Sequence, residues 1–286
     1  MLMKNKVTVF NGIIAAVLFT ASFSFAGGMD VFLKIQAGQK IYAGLGDFRV
    51  TNTDEQDWVT KMYPVLVNDL KFAALFSELQ DGPITTTKSD PDFAYWAANN
   101  TMVLVTGKLT ISGQNILFTG QLTAVAEKTV VYEQSYKETK SGWRGVVHRF
   151  CDDISERITG VKGVAHTSLI FVNDSTGNKE IYLADYDGHN PRRLTNHKSV
   201  VLMPRWAPDG NSFVYTSYHS GNPNLYRYDL STGKSTVLSR WPGLNVAGAF
   251  VPGSNSRIAL TLSKDGNSEI YIMNGEMNNL QRITES

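Results

Sequence analysis

The sequence predicts an α/β N-terminal domain followed by an incomplete β-propeller of about three blades. Two helix-period apolar stripes, around Trp58–Leu70 and Trp143–Ile158, bracket several β-rich runs in the first half. After Gly163 the chain turns repetitive, with paired aliphatic and tyrosine residues recurring every 44 to 45 positions. An apolar leader behind two lysines opens the chain and marks it for export.

Composition fits this reading. The 286 residues leave room for about two domains, and 42% hydrophobic with 19% charged residues is an ordinary globular balance. Lys and Arg number 27 against 26 Asp and Glu, so no electrostatic footprint for nucleic acid or an anionic membrane surface exists. Cys151 is the single cysteine, which excludes an intrachain disulfide and a cysteine-based zinc site.

In chain order, Lys4 and Lys6 form a positive n-region, the apolar stretch from Ile13 runs to Phe25, and Ser24-Phe25-Ala26 offers a small-residue cleavage site. Residues 1–26 are therefore expected to be a signal peptide, cleaved without leaving a membrane anchor. The domain expected over 27–160 starts with Asp30–Ile35, a strand or an extended tail, followed by a short buried strand from Ile41 to Phe48. From Asp57, Trp58, Met62, Leu66 and Leu70 recur every four residues as one face of a helix, which either kinks or starts at Pro64. Asp81-Gly82-Pro83 is a turn signal. Met102–Thr106, Gln114–Thr123 and Thr129–Tyr136 read as an antiparallel meander. A second helix follows from Trp143, with Ser141 as its expected N-cap and Gly160 as its stop. Its stripe is Trp143, Val146, Val147, Phe150, Cys151, Ile154 and Ile158, with His148 beside it, expected to be partly exposed.

The region 164–286 contains three copies of one unit. Ile181-Tyr182, Leu225-Tyr226 and Ile270-Tyr271 are each preceded four residues upstream by a glycine, at 177, 221 and 266. A β-rich run opens twelve residues upstream, at Leu169, Phe213 and Ile258. Thirteen residues downstream stand Leu194, Leu238 and Ile283, each followed by a hydroxyl residue. Several short strands per unit at this period are the signature of propeller blades. The position 44 before Trp206 is Lys162, so the first copy lacks an inner strand and the sequence supplies 11 strands in groups of three, four and four.

No catalytic motif is complete in the sequence. Thr232-Gly233-Lys234-Ser235 ends like a phosphate-binding loop, but Tyr228 stands where its first glycine is required. No Gly-x-Ser-x-Gly elbow occurs. Asp185 and Asp187 with Gly188 sit in a strand-to-strand turn, and the other copies do not repeat the acid pair. The five histidines lack metal-ligand spacing, so neither metal nor cofactor is expected. His197, His219, Tyr218 and Trp241 fall in expected end-face loops and are candidates for partner contacts.

The first domain carries Asn68-Asp69-Leu70, Phe76, Val105-Thr106-Gly107 and Ile158-Thr159-Gly160, and the second carries the run from Ile181 to Thr195 followed by Trp206-Ala207-Pro208-Asp209-Gly210. With these stretches the chain resembles the TolB family over essentially all of its length after the leader. The resemblance implies TolB-like, WD40-like blades, a periplasmic location, and a non-enzymatic scaffold linking TolA and Pal, which maintains the outer membrane and assists constriction in cell division. It implies that Asp30, Val31, Phe32, Leu33, Lys34 and Ile35 contact TolA. It also implies that loops at one propeller end face Pal, here His197, Lys198, Ser199, Tyr218, His219, Trp241, Leu244 and Asn245. The family propeller has six blades, so a chain with three copies is expected to be truncated. Two rival readings are an exported propeller enzyme or carbohydrate-binding protein, and a fragment without activity of its own. The enzyme reading asks for an acid pair at the channel mouth, where the inner strands offer only Arg205 and Asp209.

Overall fold

The computed structural model describes residues 41–81, 91–275 and 279–285. The expected leader, the segment Asp30–Ile35 and Gly82-Pro83 lie outside them. The first domain is a five-stranded mixed sheet. Strand β1 (Tyr42–Arg49) pairs in parallel with β2 (Glu78–Asp81) and β3 (Val103–Ser112), and β4 (Asn115–Ala124) and β5 (Thr129–Thr139) extend the sheet antiparallel in the order β2-β1-β3-β4-β5. The expected meander is therefore present.

Helix α1 (Thr53–Phe72) begins ahead of Asp57 and runs through Pro64, so neither expected start holds. Asn52 sets the real start, its side chain accepting from the Glu55 amide at 3.0 Å. The Glu55 carboxylate reaches back to the Thr51 amide at 2.6 Å, which fixes the first turn from both sides. Pro64 removes one helical donor, a loss offset by burying Val59, Met62, Leu66 and Leu70 on the sheet. Helix α2 (Phe93–Ala98) was not foreseen and covers the opposite face through Trp96, packed on Leu104 and Val125.

Helix α3 (Trp143–Thr159) lies beside α1 on the same sheet face and buries the predicted stripe from Val146 to Ile154. Gly160 ends it at φ 74°, the left-handed turn that glycine adopts without strain. Ser141 does not cap it. A 3-10 turn over Lys140–Gly142 leads straight into the helix, and Gly142 occupies the cap position. His148 is also not partly exposed: at 3% exposure it is buried because Asp69 on α1 receives it.

Three antiparallel sheets follow. The first has strands β6 (Ser168–Asn173), β7 (Glu180–Asp185) and β8 (Arg192–Arg193). The second runs from inner to outer strand as β9 (Val201–Trp206), β10 (Ser212–Ser217), β11 (Asn224–Asp229) and β12 (Lys234–Ser239). The third repeats that order with β13 (Asn245–Phe250), β14 (Arg257–Leu262), β15 (Glu269–Asn274) and β16 (Leu280–Arg282). The registers repeat with the sequence: Leu169 pairs with Ala184, Phe213 with Tyr228 and Ile258 with Met273. This is the grouping read from the spacing, including the missing inner strand of the first sheet. The glycines at 177, 221 and 266 all take positive φ (86°, 84° and 108°) in the turn before the third strand type, which explains their recurrence. The three sheets are not closed into a ring.

Candidate protein-binding surface

Strand β7 has two ends with different neighbours, and they orient the molecule. At its start, the buried Glu180 accepts from the Thr195 hydroxyl at 2.5 Å and from the Lys198 amide at 2.8 Å. The same Thr195 oxygen accepts from the Ile181 amide at 2.8 Å. One carboxylate thus fixes the outer strand and the first turn of the loop leading to β9. The third sheet repeats the device: Thr284 donates to Glu269 at 2.5 Å and accepts from the Ile270 amide at 2.9 Å. In the second sheet Asn224 replaces the acid, and the loop residue equivalent to Lys198 is Pro242, which has no amide to donate. Asn245 organises that loop instead. Its side chain accepts from Ser239 at 2.6 Å and from the Trp241 amide at 2.8 Å, and donates to the Trp241 carbonyl at 2.7 Å.

These loops share one end of the sheets with the turns that join the second and third strand types. The Tyr218 amide donates to the Val200 carbonyl at 3.0 Å, Asn222 donates to the Trp241 carbonyl at 3.1 Å, and the Leu244 amide donates to Ser263 at 2.9 Å. The surface they make is mixed. Lys198 and His219 are exposed, with Val200, Tyr218 and Leu244 as apolar points among them. Trp241 is half-buried under the Lys264 ammonium, 5.5 Å from its ring centre. His197 is held from below: its Nδ1 lies 2.7 Å from the Ser217 hydroxyl and its Nε2 3.2 Å from the Tyr215 hydroxyl. The His219 ring lies 4.7 Å away, and burial followed by that neighbour lowers the His197 pKa.

Of the expected contact residues, Lys198, Tyr218, His219 and Leu244 stand at the surface, and His197, Ser199 and Trp241 are partly covered. Asn245 is fully buried and shapes the loop from inside, so it offers no contact area in the folded chain. The TolA-facing set Asp30–Ile35 is outside the described residues. Glu180 was missed, whereas Val200 falls inside the expected loop segment His197–Val201. The signal for Glu180 was available: the residue before each Ile-Tyr or Leu-Tyr pair reads Glu, Asn, Glu, a polar position opening an otherwise buried strand.

The other end of β7 meets the first domain. Arg144 of α3 forms an ion pair with Asp187, and its Nε lies 3.9 Å from Asp185. His148 joins these acids in a cluster whose ligand-type atoms lie within 4.8 Å, but the Arg144 guanidinium already supplies the positive charge there. Behind it, Asp69 receives His148 Nδ1 at 2.7 Å and the Tyr186 hydroxyl. Asp152 accepts from the amides of Ala165 and His166 at 2.7 and 2.9 Å, pinning the linker. Burial, then the neighbouring Asp69 and Asp152, push the Cys151 thiol well above its ordinary range, which leaves it protonated and inert. The first domain thus takes one end of the first sheet and, among the described residues, leaves the loop end open.

Two family models match this chain: the TolB amino-terminal domain over residues 36–131 and the TolB beta propeller domain over residues 155–286. A Tol-Pal system protein TolB from Desulfosudis oleivorans is 34% identical over 200 residues, which is 70% of this chain and 45% of that protein. A TolB homolog from Chlorobium chlorochromatii is 33% identical over 251 residues, 85% of this chain and 56% of that one. The chain spans about half the length of the curated relatives it matches. The crystal structure of TolB from Acinetobacter baumannii superposes with a TM-score of 0.72 at 23% identity, over 86% of this chain and 61% of that one, a likeness of fold.

Proposed function

The chain belongs to the TolB family of periplasmic proteins, and from that premise we propose that it is a protein-binding scaffold of the Tol-Pal system that links TolA to Pal. In this role it supports outer-membrane integrity and envelope constriction during division. The observation that carries the reading is the loop end of the sheets. It presents Val200, Tyr218 and Leu244 as apolar points with Lys198 and His219 among them, and the first domain occupies the opposite end. Exposed aromatic and aliphatic points on a hydrogen-bonded base suit protein docking, because the loops lose little freedom on binding. Asp30–Ile35 is the proposed TolA-binding segment, adding to the partner as an extended strand.

Capture experiments separate the two halves of the proposal. Tyr218→Asp with Leu244→Asp is expected to lower Pal capture at least tenfold and leave TolA capture intact. Deleting residues 27–35 is expected to abolish TolA capture alone. Pal capture unchanged by the double substitution would remove the loop end from the proposal, and TolA capture surviving the deletion would remove the tail.

A further inference from the structure

The hydrogen-bond chain beneath His197 allows its ring one neutral arrangement. Burial pushes the Tyr215 hydroxyl pKa up, so that group keeps its hydrogen and donates it to Ser235 at 2.7 Å. Toward His197 Nε2, 3.2 Å away, the Tyr215 oxygen accepts, and the network assigns the ring's hydrogen to Nε2. Nδ1 is then the acceptor and receives the Ser217 hydroxyl at 2.7 Å. The Ser217 oxygen accepts from the His219 amide at 3.3 Å, and Ser217 is fully buried. One imidazole thus ties the loop after β8 to the strand end from which Tyr218 and His219 project. A second proton conflicts with this arrangement. On Nδ1 it faces the Ser217 hydrogen, and that hydroxyl has to turn away inside a buried site. The surroundings do not remove the conflict. Tyr226 of β11 meets the ring edge-on, the His219 ring lies 4.7 Å away, and Lys198 adjoins in the same loop. Glu180 at the start of β7 is an acid on this side, but its carboxylate already accepts from Thr195 and the Lys198 amide.

We propose that the loop end is an acid-sensitive docking surface, where protonation of His197 unties the loop from β10 and releases the bound partner. The proposal rests on the reading of the loop end as the Pal-facing surface. Val200 and Tyr218, two of its apolar points, stand on the two segments that the ring joins, and the Tyr218 amide donates to the Val200 carbonyl at 3.0 Å. A partner seated over them takes further water from the half-buried ring, which disfavours its charged form more in the complex than in the free chain. As pH falls, the free chain therefore binds the proton before the complex does. Binding is complete above 6.5 and weakens below it, by about tenfold per pH unit once the free ring is protonated.

Pal affinity of the purified full chain is expected to be level above about pH 7 and to fall about tenfold by about pH 5, while TolA capture stays level. His197→Gln keeps a hydrogen-bonding side chain that does not take up the proton. It is expected to flatten the ratio of Pal affinities at the two pH values, whatever its affinity at neutrality. In the chain alone, nuclear magnetic resonance is expected to show the Tyr218 amide shifting in step with the His197 ring. Circular dichroism at each pH separates these effects from global unfolding. A level Pal affinity in the unmodified protein overturns the proposal, as does a fall that survives His197→Gln. A Tyr218 amide that ignores the His197 titration overturns it without Pal in the sample. If Tyr218→Asp with Leu244→Asp leaves Pal capture intact, the Pal reading fails separately, and the titration of the chain alone still decides whether His197 ties the loop.

Discussion

His197 is a side chain at the loop end whose surroundings oppose its protonation. Burial, then the His219 ring, lowers its pKa from the ordinary 6.5, and Glu180 opposes them. Tyr215 and Ser217 of β10 and Tyr226 of β11 face it as neutral partners, and Lys198 adjoins it in its own loop. A depressed histidine pKa means that the unfolded chain binds the proton first as pH falls. Stability is therefore complete above 6.5 and declines as pH drops below it. His166, lowered by burial and then by Arg149, adds to the same slope. The expected outcome is a thermal midpoint that falls between neutrality and about pH 5, with His197→Gln making the fall shallower. An unchanged slope in that variant would show that the imidazole's surroundings do not oppose its protonation.

Among the elements, α3 packs on β4 with no room for a side chain at Gly120. A Cβ added at Gly120 would lie 2.4 Å from the Phe150 ring, and the ring is fully buried. Gly120→Ala is expected to destabilise the domain by about 1–3 kcal/mol, read from the urea midpoint. Adding Phe150→Leu should recover part of that loss, because the smaller side chain vacates the space the new methyl needs. The α3 stripe was legible in the sequence because seven apolar positions at helical spacing leave one reading, and Gly160 closed it. Helix α2 was not legible, since six residues anchored by Trp96 make too short a period to detect. The burial of His148 was hidden for another reason: its partner Asp69 lies 79 positions away, and no local pattern reports a contact at that distance. The loop end was readable through the repeat, which carried the turns from copy to copy. Asn245 was misjudged because position within a loop does not reveal which way a side chain turns.

At the scale of the molecule, Asp69 joins the two halves. It accepts from His148 of α3 and from Tyr186, 117 positions later in the turn after β7, while being 1% exposed. Removing the carboxylate strands two buried donors at once. Asp69→Ala is expected to cost about 3 kcal/mol and to speed proteolytic cleavage within the linker 160–168, with both domains still folded. Cleavage at the wild-type rate would mean that the Arg144 ion pair and the Asp152 anchors hold the junction without it. The small change in period, from 44 to 45, also has a physical location. Trp206 and Phe250 are still 44 apart, whereas Phe213 and Ile258 are 45 apart, so the added residue falls between β13 and β14. Placed inside a strand it would have reversed every side chain beyond it. At the corner it only lengthens the bend, where Asn255 accepts from the Asp209 amide at 3.1 Å and from Arg227 at 3.2 Å. The miscount in the rhythm is thus a seam: the spare residue sits where one sheet is stitched to its neighbour.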